Sequence, residues 1–578
     1  MAACYATTLS SILLLAVLAL ALSDDALPST PVSPSSACNA TTDPTFCRSV
    51  LPPHGKGDLY AYGRFSVAES LAGARKFAAL VDRYLARHRR LSAGAVGALR
   101  DCQLMAELNV DFLSSAGEAI RGTDTLLDPQ ADDVHTLLSA ILTNQQTCLD
   151  GLQAAAAAGA WSERGGAGGG LADPIANGTK LYSLSLSLFT RAWVPTAKAP
   201  HKGGSGRGGG GKHHGHGGSK KPRPPAARRG LFDVTDDEMV RRMAIEGPEQ
   251  TVAVTSVVTV DQSGAGNYTT VGDAVAAAPT NLDGSGGYHV IYVLAGVYEE
   301  NVVVPKHTKY IMMIGDGIGQ TVITGNRSVV DGWTTFNSAT LAVVGQGFVA
   351  MNMTFRNTAG PAKHQAVALR SGADLSAFYG CSFEAFQDTL YTHSLRQFYR
   401  GCDVYGTVDY VFGNAAVVFQ GCTFFSRLPM PGQSNTVTAQ GRSDPNQNTG
   451  TSIQGCALVA APELAAAAAA AGNAKTLTYL GRPWKNYSRT VVMESYVGEL
   501  VDPAGWMPWA GDFALETLFY AEYNNSGPGA DTGRRVRWPG YHVLGDGADA
   551  GNFTVTSMVL GDNWLPQTGV PFTSGLIS

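Results

Sequence analysis

Three segments in the middle of the chain repeat one pattern: Phe378-Tyr379-Gly380-Cys381-Ser382-Phe383, Phe398-Tyr399-Arg400-Gly401-Cys402-Asp403-Val404 and Phe419-Gln420-Gly421-Cys422-Thr423-Phe424. Their cysteines lie 21 and 20 residues apart. A period of about 20 residues, built from short β-branched and aromatic runs broken by Gly, Asn and Asp, is what one coil of a solenoid supplies. Residues one period apart then stack on neighbouring coils, and the repeated apolar positions become a continuous interior. This texture begins at Val252 and runs to the C-terminus, interrupted by one helix-like stretch, Tyr268 to Ala278. The expectation for this half is an all-β, right-handed parallel β-helix.

The same ruler laid on the polar residues singles out a second column. Gln365 is followed 22 residues later by Gln387-Asp388, and Asp409 comes 21 residues after Asp388. Each step equals one coil, so two amides and two carboxylates fall on adjacent turns of one face. Their apolar and aromatic surroundings favour partial burial and shifted pKa values. A purely structural ladder of side-chain hydrogen bonds has the same spacing, so the column alone leaves both readings open.

The front of the chain is built differently. Residues 60 to 195 carry helical periods, with Val134, Leu137, Leu138, Ile141 and Leu142 as one stripe and Leu181, Leu184 and Leu188 as another. Ala is abundant and Pro scarce, so an all-α four-helix bundle is expected. His88 and His135 are isolated there and read as surface residues. Residues 196 to 230 hold Gly, Pro, Lys, Arg and His and no acid, which is the composition of a flexible linker. Its Lys212-His213-His214-Gly215-His216 run reads as solvated linker rather than a metal site. The formal charge of −5 divides unevenly: through Arg242 there are 25 Lys and Arg against 21 Asp and Glu, and after it 17 against 26.

Compartment follows from the N-terminus. Ile12 to Leu22 is a short apolar run ending in the small-x-small pattern Ala21-Leu22-Ser23, although residues 1 to 11 lack Lys and Arg. Eleven residues cannot cross a bilayer as a helix, so a cleaved secretory signal over 1–23 is expected. Secretion permits disulfides. Beyond Cys4, four cysteines fall in each half: Cys38, Cys47, Cys102 and Cys148, then Cys381, Cys402, Cys422 and Cys456. Eight N-glycosylation sequons suit the same route. The single-coil spacing of Cys381 and Cys402 predicts a bridge between them.

Five short segments, in order, resemble the signature motifs of plant pectin methylesterases: Gly296 to Glu300, Gln365 to Leu369, Gln387 to Leu390, Asp409 to Gly413 and Leu480 to Trp484. The third matches the family pattern outright. The fourth has Tyr410-Val411 where Phe-Ile is commoner, and an alanine-rich insertion, Glu463 to Ala471, precedes the fifth. It is expected to lengthen a loop and leave Arg482 in place. The resemblance implies that Asp409 is a nucleophile toward a C6 methyl ester and that Asp388 is general acid, then general base. It further implies that Arg482 keeps Asp409 ionised, Gln387 donates to the oxyanion, Gln365 supports that intermediate or the substrate, and Trp484 and Thr335 meet substrate. Trp506 is either a second sugar platform or a core residue. No metal or organic cofactor is implied. Cys422 and Cys456 are paired on the same resemblance.

The front half, with its four cysteines and the stretch Leu138 to Leu149, resembles plant invertase and pectin methylesterase inhibitors, which pairs Cys38 with Cys47 and Cys102 with Cys148. The layout expected is therefore signal peptide 1–23, inhibitor-like pro-region 24–195, basic linker 196–242 and catalytic β-helix 243–578. Cleavage is expected at Arg241-Arg242 rather than Arg228-Arg229, by a processing protease of the secretory pathway. Other expected partners are methylesterified pectin and separate inhibitor proteins, with no nucleic acid, no membrane after signal removal, and a monomer in the cell wall. The rival readings are a pectate lyase or polygalacturonase, for which neither a calcium-type acidic cluster nor a carboxylate pair spaced for water is visible, and a binding protein with an inert β-helix.

Overall fold

The computed structural model describes residues 27–53, 57–86, 91–157, 159, 167–194, 252–470 and 476–577. The signal segment, the basic linker with its histidine run, and Arg241-Arg242 lie outside the described residues.

Two short helices, Pro34–Cys38 and Pro44–Val50, lead into four long ones: α1 (Leu59–Leu85), α2 (Ala93–Ala119), α3 (Asp128–Ala157) and α4 (Ala167–Trp193). The starts follow from local chemistry. Asp58 and Ser92 accept hydrogen bonds from Ala61 N–H and Ala95 N–H, satisfying donors that a helix start leaves unpaired. Helical spacing then gathers Tyr62, Val67, Ala74, Leu138, Ile141, Leu142, Leu188 and Phe189 in one core. Small residues let helices approach closely. Ser70 meets Ser185 at 2.8 Å between α1 and α4, and a Cβ on Gly63 would stand 2.7 Å from the Trp193 ring. Cys38–Cys47 joins the two short helices, and Cys102–Cys148 ties α2 to α3.

From Val254 the chain coils through three parallel sheets of 11, 8 and 7 strands, which together form a parallel β-helix. Coils stack in register. Leu369, Leu390, Val411 and Thr438 are successive partners in the seven-stranded sheet, and Ser382, Asp403, Thr423 and Ala457 in the eight-stranded one. Inside, Phe378, Tyr399 and Phe419 stack at 4.7 and 4.6 Å between centroids. Outside the 11-stranded sheet, Val555, Val559, Trp564 and Leu565 from the C-terminal segment cover Phe398 and Val418. One turn column repeats in left-handed backbone at Asn352, Gly380, Gly401, Gly421 and Gly455. Glycine and asparagine enter that region at the lowest steric cost.

Several expectations for the β-helix half need correction. The helix near Tyr268 is shorter, Val271–Ala277, capped by Thr270. The alanine-rich insertion forms a helix, Pro462–Ala470, as strong alanine propensity favours, and Arg427 pins it through Glu463 at 2.8 Å. The bridges Cys381–Cys402 and Cys422–Cys456 are not formed; all four are buried free thiols. In-register side chains on parallel strands point the same way about 4.8 Å apart, whereas a disulfide needs Cβ atoms within about 4.5 Å and converging. The sulfurs form a ladder instead: Cys402 N–H donates to Cys422 Sγ at 3.4 Å, and Cys422 N–H to Cys456 Sγ at 3.3 Å.

The bundle lies against the outer face of the seven-stranded sheet. Met105 and Leu108 of α2 join Phe336, Tyr391, Phe412 and Ala439 in one apolar cluster. Around it run cross-links between the halves. Arg396 meets Asp132 at 3.0 Å and Asp133 at 2.7 Å as well as Asp374 of its own half. Lys306 meets Asp111 at 2.8 Å, Lys485 meets Asp150 at 3.0 Å, and Thr147 meets His393 at 2.9 Å. His135, expected at the surface, is instead bonded to Asn446 O at 2.7 Å under α3.

Candidate active site

Asp388 and Asp409 each stand two residues before a strand of the seven-stranded sheet, Leu390–Thr392 and Val411–Gly413. Stacking therefore sets the two carboxyls on neighbouring coils. Both are in left-handed backbone, φ 61° and 51°, a conformation that costs a non-glycine residue energy and is least unfavourable for Asn and Asp.

Their environments differ. Arg482 donates Nε–H to Asp409 Oδ1 and Nη2–H to Asp409 Oδ2, both at 2.7 Å, and Thr436 Oγ1–H adds a bond to Oδ1 at 2.7 Å. A forked guanidinium contact of this kind favours the carboxylate ion. Asp388 has no such donor. Burial, then the adjacent charge of Asp409, pushes its carboxyl well above the usual range, against a weaker pull from Arg482. One carboxyl is gripped by a guanidinium, and burial biases its neighbour to keep a proton.

Gln387, beside Asp388, and Gln365, one coil earlier, sit half-buried, and their side-chain amides have no hydrogen-bond partner among the described residues. A cavity of about 520 Å³ brings together Gln365, Gln387, Asp388, Asp409, Arg482 and Trp484, with Thr335 on its wall. Trp484 leans edge-on against Phe412 at 6.0 Å, close packing that Gly441 permits, since a Cβ there would lie 2.8 Å from the indole. A larger opening of about 770 Å³ lies along the same sheet beside Lys306 and Arg396, but it holds neither of the paired aspartates. The site residues expected from the four later motifs, with Thr335, thus share one cavity, whereas the first motif lies apart, its Glu300 accepting from Val271 N–H and Gly272 N–H.

Trp506 lies outside that cavity. It is 1% exposed, stacked on Tyr520 at 4.3 Å, with its indole N–H on Glu522, so of the two readings the core one holds. Two exposed indoles line the cavity instead, Trp333 and Trp509, and the Trp509 ring lies 4.4 Å from the Arg482 guanidinium. No repeat or motif marks Trp509, and nothing in the spacing singles it out. The roof of the cavity was likewise invisible: Asp101, Thr147 and Asp150 of the bundle line it.

The model of the family described as Pectinesterase matches residues 257–562, more than half of the chain. The chain belongs to the pectinesterase family. A second family model, Plant invertase/pectin methylesterase inhibitor, matches residues 33–188, which hold both bridges and most of the four long helices. The pectinesterase half and the inhibitor-like half occur together in relatives. Probable pectinesterase/pectinesterase inhibitor 41 of Arabidopsis thaliana is 54% identical over 94% of this chain and 95% of its own length, and Probable pectinesterase/pectinesterase inhibitor 20 of the same plant is 54% identical over 94% of both. The solved pectin methylesterase from carrot is 52% identical, covers 57% of this chain and 99% of its own, and superposes with a TM-score of 0.53. The present chain is a carboxylic ester hydrolase with an inhibitor-like helical region in front.

Proposed function

We propose that this pectinesterase removes methyl esters from C6 of pectin through an acyl-enzyme on Asp409, and that its bundle keeps the cleft closed until it is cut away. The observation that carries the reading is the pair of aspartates in one cavity, one gripped by Arg482 and the other pushed by burial toward its protonated form, beside two uncommitted amides. Asp409 Oδ2, which accepts only from Arg482, keeps a lone pair free and attacks the ester carbonyl. Gln387, with Gln365, donates to the oxyanion as charge develops. Asp388 delivers its proton to the departing methanol, then takes one from the water that hydrolyses the acyl-enzyme, restoring both carboxyls. Trp484 and Trp509 offer ring faces to the sugars, and Thr335 lines the same wall. The acid step is lost as pH rises through the raised value of Asp388.

Closure rests on position: Asp101, Thr147 and Asp150 fill the roof of the catalytic cavity, and the cross-links through Arg396, Lys306 and Lys485 hold them there. Cleavage at Arg241-Arg242 by a secretory-pathway protease would release a domain of net charge −9 (17 − 26), weakly retained by polyanionic pectin. The expected setting is the cell wall after secretion, with separate inhibitor proteins as partners once the bundle is gone. No described helix is long and apolar enough to cross a membrane.

The test is methanol release from highly esterified pectin, read beside unsaturated-product absorbance and new reducing ends, on the whole chain and on the chain cut within residues 196–242. Methanol alone, from the cut chain only, is the expected result. Unsaturated product or reducing ends without methanol would assign a lyase or glycosidase instead.

A further inference from the structure

One contact between the halves has the chemistry of a ligand contact. Asp101 of α2 is 2% exposed, and its carboxylate is held from the β-helix side on both oxygens. Thr334 Oγ1–H donates to Oδ2 at 2.6 Å, and Asn337 Nδ2–H donates to Oδ1. Arg370 supplies the nearby positive charge. Its guanidinium lies 3.4 Å from the Phe336 ring centroid, and its Nε–H is spent on Phe336 O at 2.9 Å. Arg396, Arg482 and Arg535 each have a carboxylate partner within the β-helix itself. Arg370, like Arg489, has none there among the described residues, and the one described carboxylate that acts on it is Asp101. Without the bundle, a cation and two aligned donors are left without an anion.

The position matters as much as the chemistry. Thr334 and Asp101 line the catalytic cavity with Gln387, Asp388 and Asp409. Arg370 is on the strand that pairs with Leu390–Thr392, which in turn pairs with Val411–Gly413. From the Arg370 coil to the Asp409 coil is two steps, or about 10 Å, with Tyr391 and Phe412 presenting ring faces between.

We propose that Thr334, Asn337 and Arg370 form a carboxylate seat of the cleft, filled by Asp101 in the uncut chain and by a free uronate of the bound polysaccharide after the bundle leaves. This deepens the esterase reading and rests on it. A methyl-esterified neighbour offers no charge and blocks one oxygen with methyl, so the seat selects a sugar already stripped of its ester. Asp101 itself is an imperfect occupant. Burial raises it to about 7 against the pull of Thr334 and Arg370. A uronate in a water-filled cleft escapes most of that desolvation.

The test uses chain made whole, cut within residues 196–242 and separated from its bundle, with Thr334→Val, Asn337→Asp and Thr334→Ser as variants. Methanol release is measured on fully esterified and on partly de-esterified oligogalacturonate of one length, and binding of fully de-esterified oligogalacturonate by calorimetry. The parent is expected to show a lower KM on the partly de-esterified substrate. In Thr334→Val and Asn337→Asp that preference collapses toward one and the calorimetric Kd weakens about tenfold, the scale of one charge-assisted hydrogen bond; Thr334→Ser keeps both. An unchanged KM ratio and Kd in Asn337→Asp overturns the seat. Binding that responds to the variants while the parent releases no methanol sinks the esterase reading and leaves the seat standing.

Discussion

The bundle and the β-helix each bring four cysteines to a buried core, and they use them in opposite ways. In the bundle all four are bridged, and Cys102–Cys148 joins α2 to α3, the two helices that press on the cleft. In the β-helix four thiols stack unbridged. Helices make their hydrogen bonds internally, so nothing in the backbone fixes one against the next. Each coil, by contrast, is tied to its neighbours by three parallel ladders, and a cross-link adds little. A similar division holds for charge: Asp111, Asp132, Asp133 and Asp150 of the bundle contact basic residues across the interface, whereas Asp388 and Asp409 of the β-helix face the cavity.

Asp409→Asn in the cut chain tests that division hardest. Methanol release should fall to background with the melting temperature kept, because Asn retains the left-handed turn. Asp388→Asn should lose about 10²- to 10⁴-fold, the range for one general acid–base. Near-normal turnover in either variant would make the column a structural ladder and erase the distinction.

Cross-linking comes next. Removing Cys102–Cys148, which closes 46 residues, should cost the bundle about 4 kcal/mol by chain entropy. Cys402→Ala should cost the β-helix about 1 kcal/mol, as for a small buried apolar group. Urea melts of the whole chain with the two transitions resolved would show it; equal losses would break the contrast.

At the junction, Asp132→Asn with Asp133→Asn should raise methanol release by the uncut chain about tenfold, since both acids are partly exposed and only Arg396 is buried. A silent double variant would move closure elsewhere on the interface.

The smallest effect is in pH. Docked Asp101 is raised to about 7, so its contribution to docking is full below 3.8 and lost as pH rises through 7; Asp132 shifts in the same direction. Burial depresses His135 to about 4 and His393 to about 3, and they favour docking above 6.5 and oppose it as pH falls. In the parent these trends offset. Asp101→Asn should leave the histidines dominant, so leak from the uncut chain rises about tenfold from pH 8 to pH 6. A flat profile in that variant would remove the histidines from the account.

Much of the β-helix half was legible because stacking converts a spatial column into a numerical period: the 20- to 22-residue steps located Gln365, Gln387, Asp388 and Asp409 on one face. Arg482 and Trp484 were beyond that ruler. The coil before them is lengthened by the Pro462–Ala470 helix, and only the motif resemblance reached them. The thiols show the ruler misread, since equal spacing gives adjacency but not converging side chains. Between the halves there was no period at all. Asp101 meets Thr334 and Asn337, and Asp132 meets Arg396, across more than 200 residues of sequence, and neither helical nor coil repeats encode those meetings.

The left-handed turns bear on how such a site could arise. A coil that must reverse its backbone at the same place on every lap accepts Gly, Asn or Asp there for folding reasons alone. Asx residues therefore collect in columns before any of them has a chemical task. An acid at such a corner is already aimed outward, aligned with its neighbours above and below, and partly shielded from water. For a solenoid of this kind, the distance in mutations from an inert scaffold to a paired-carboxylate enzyme is short, because the corner positions were open to aspartate from the start.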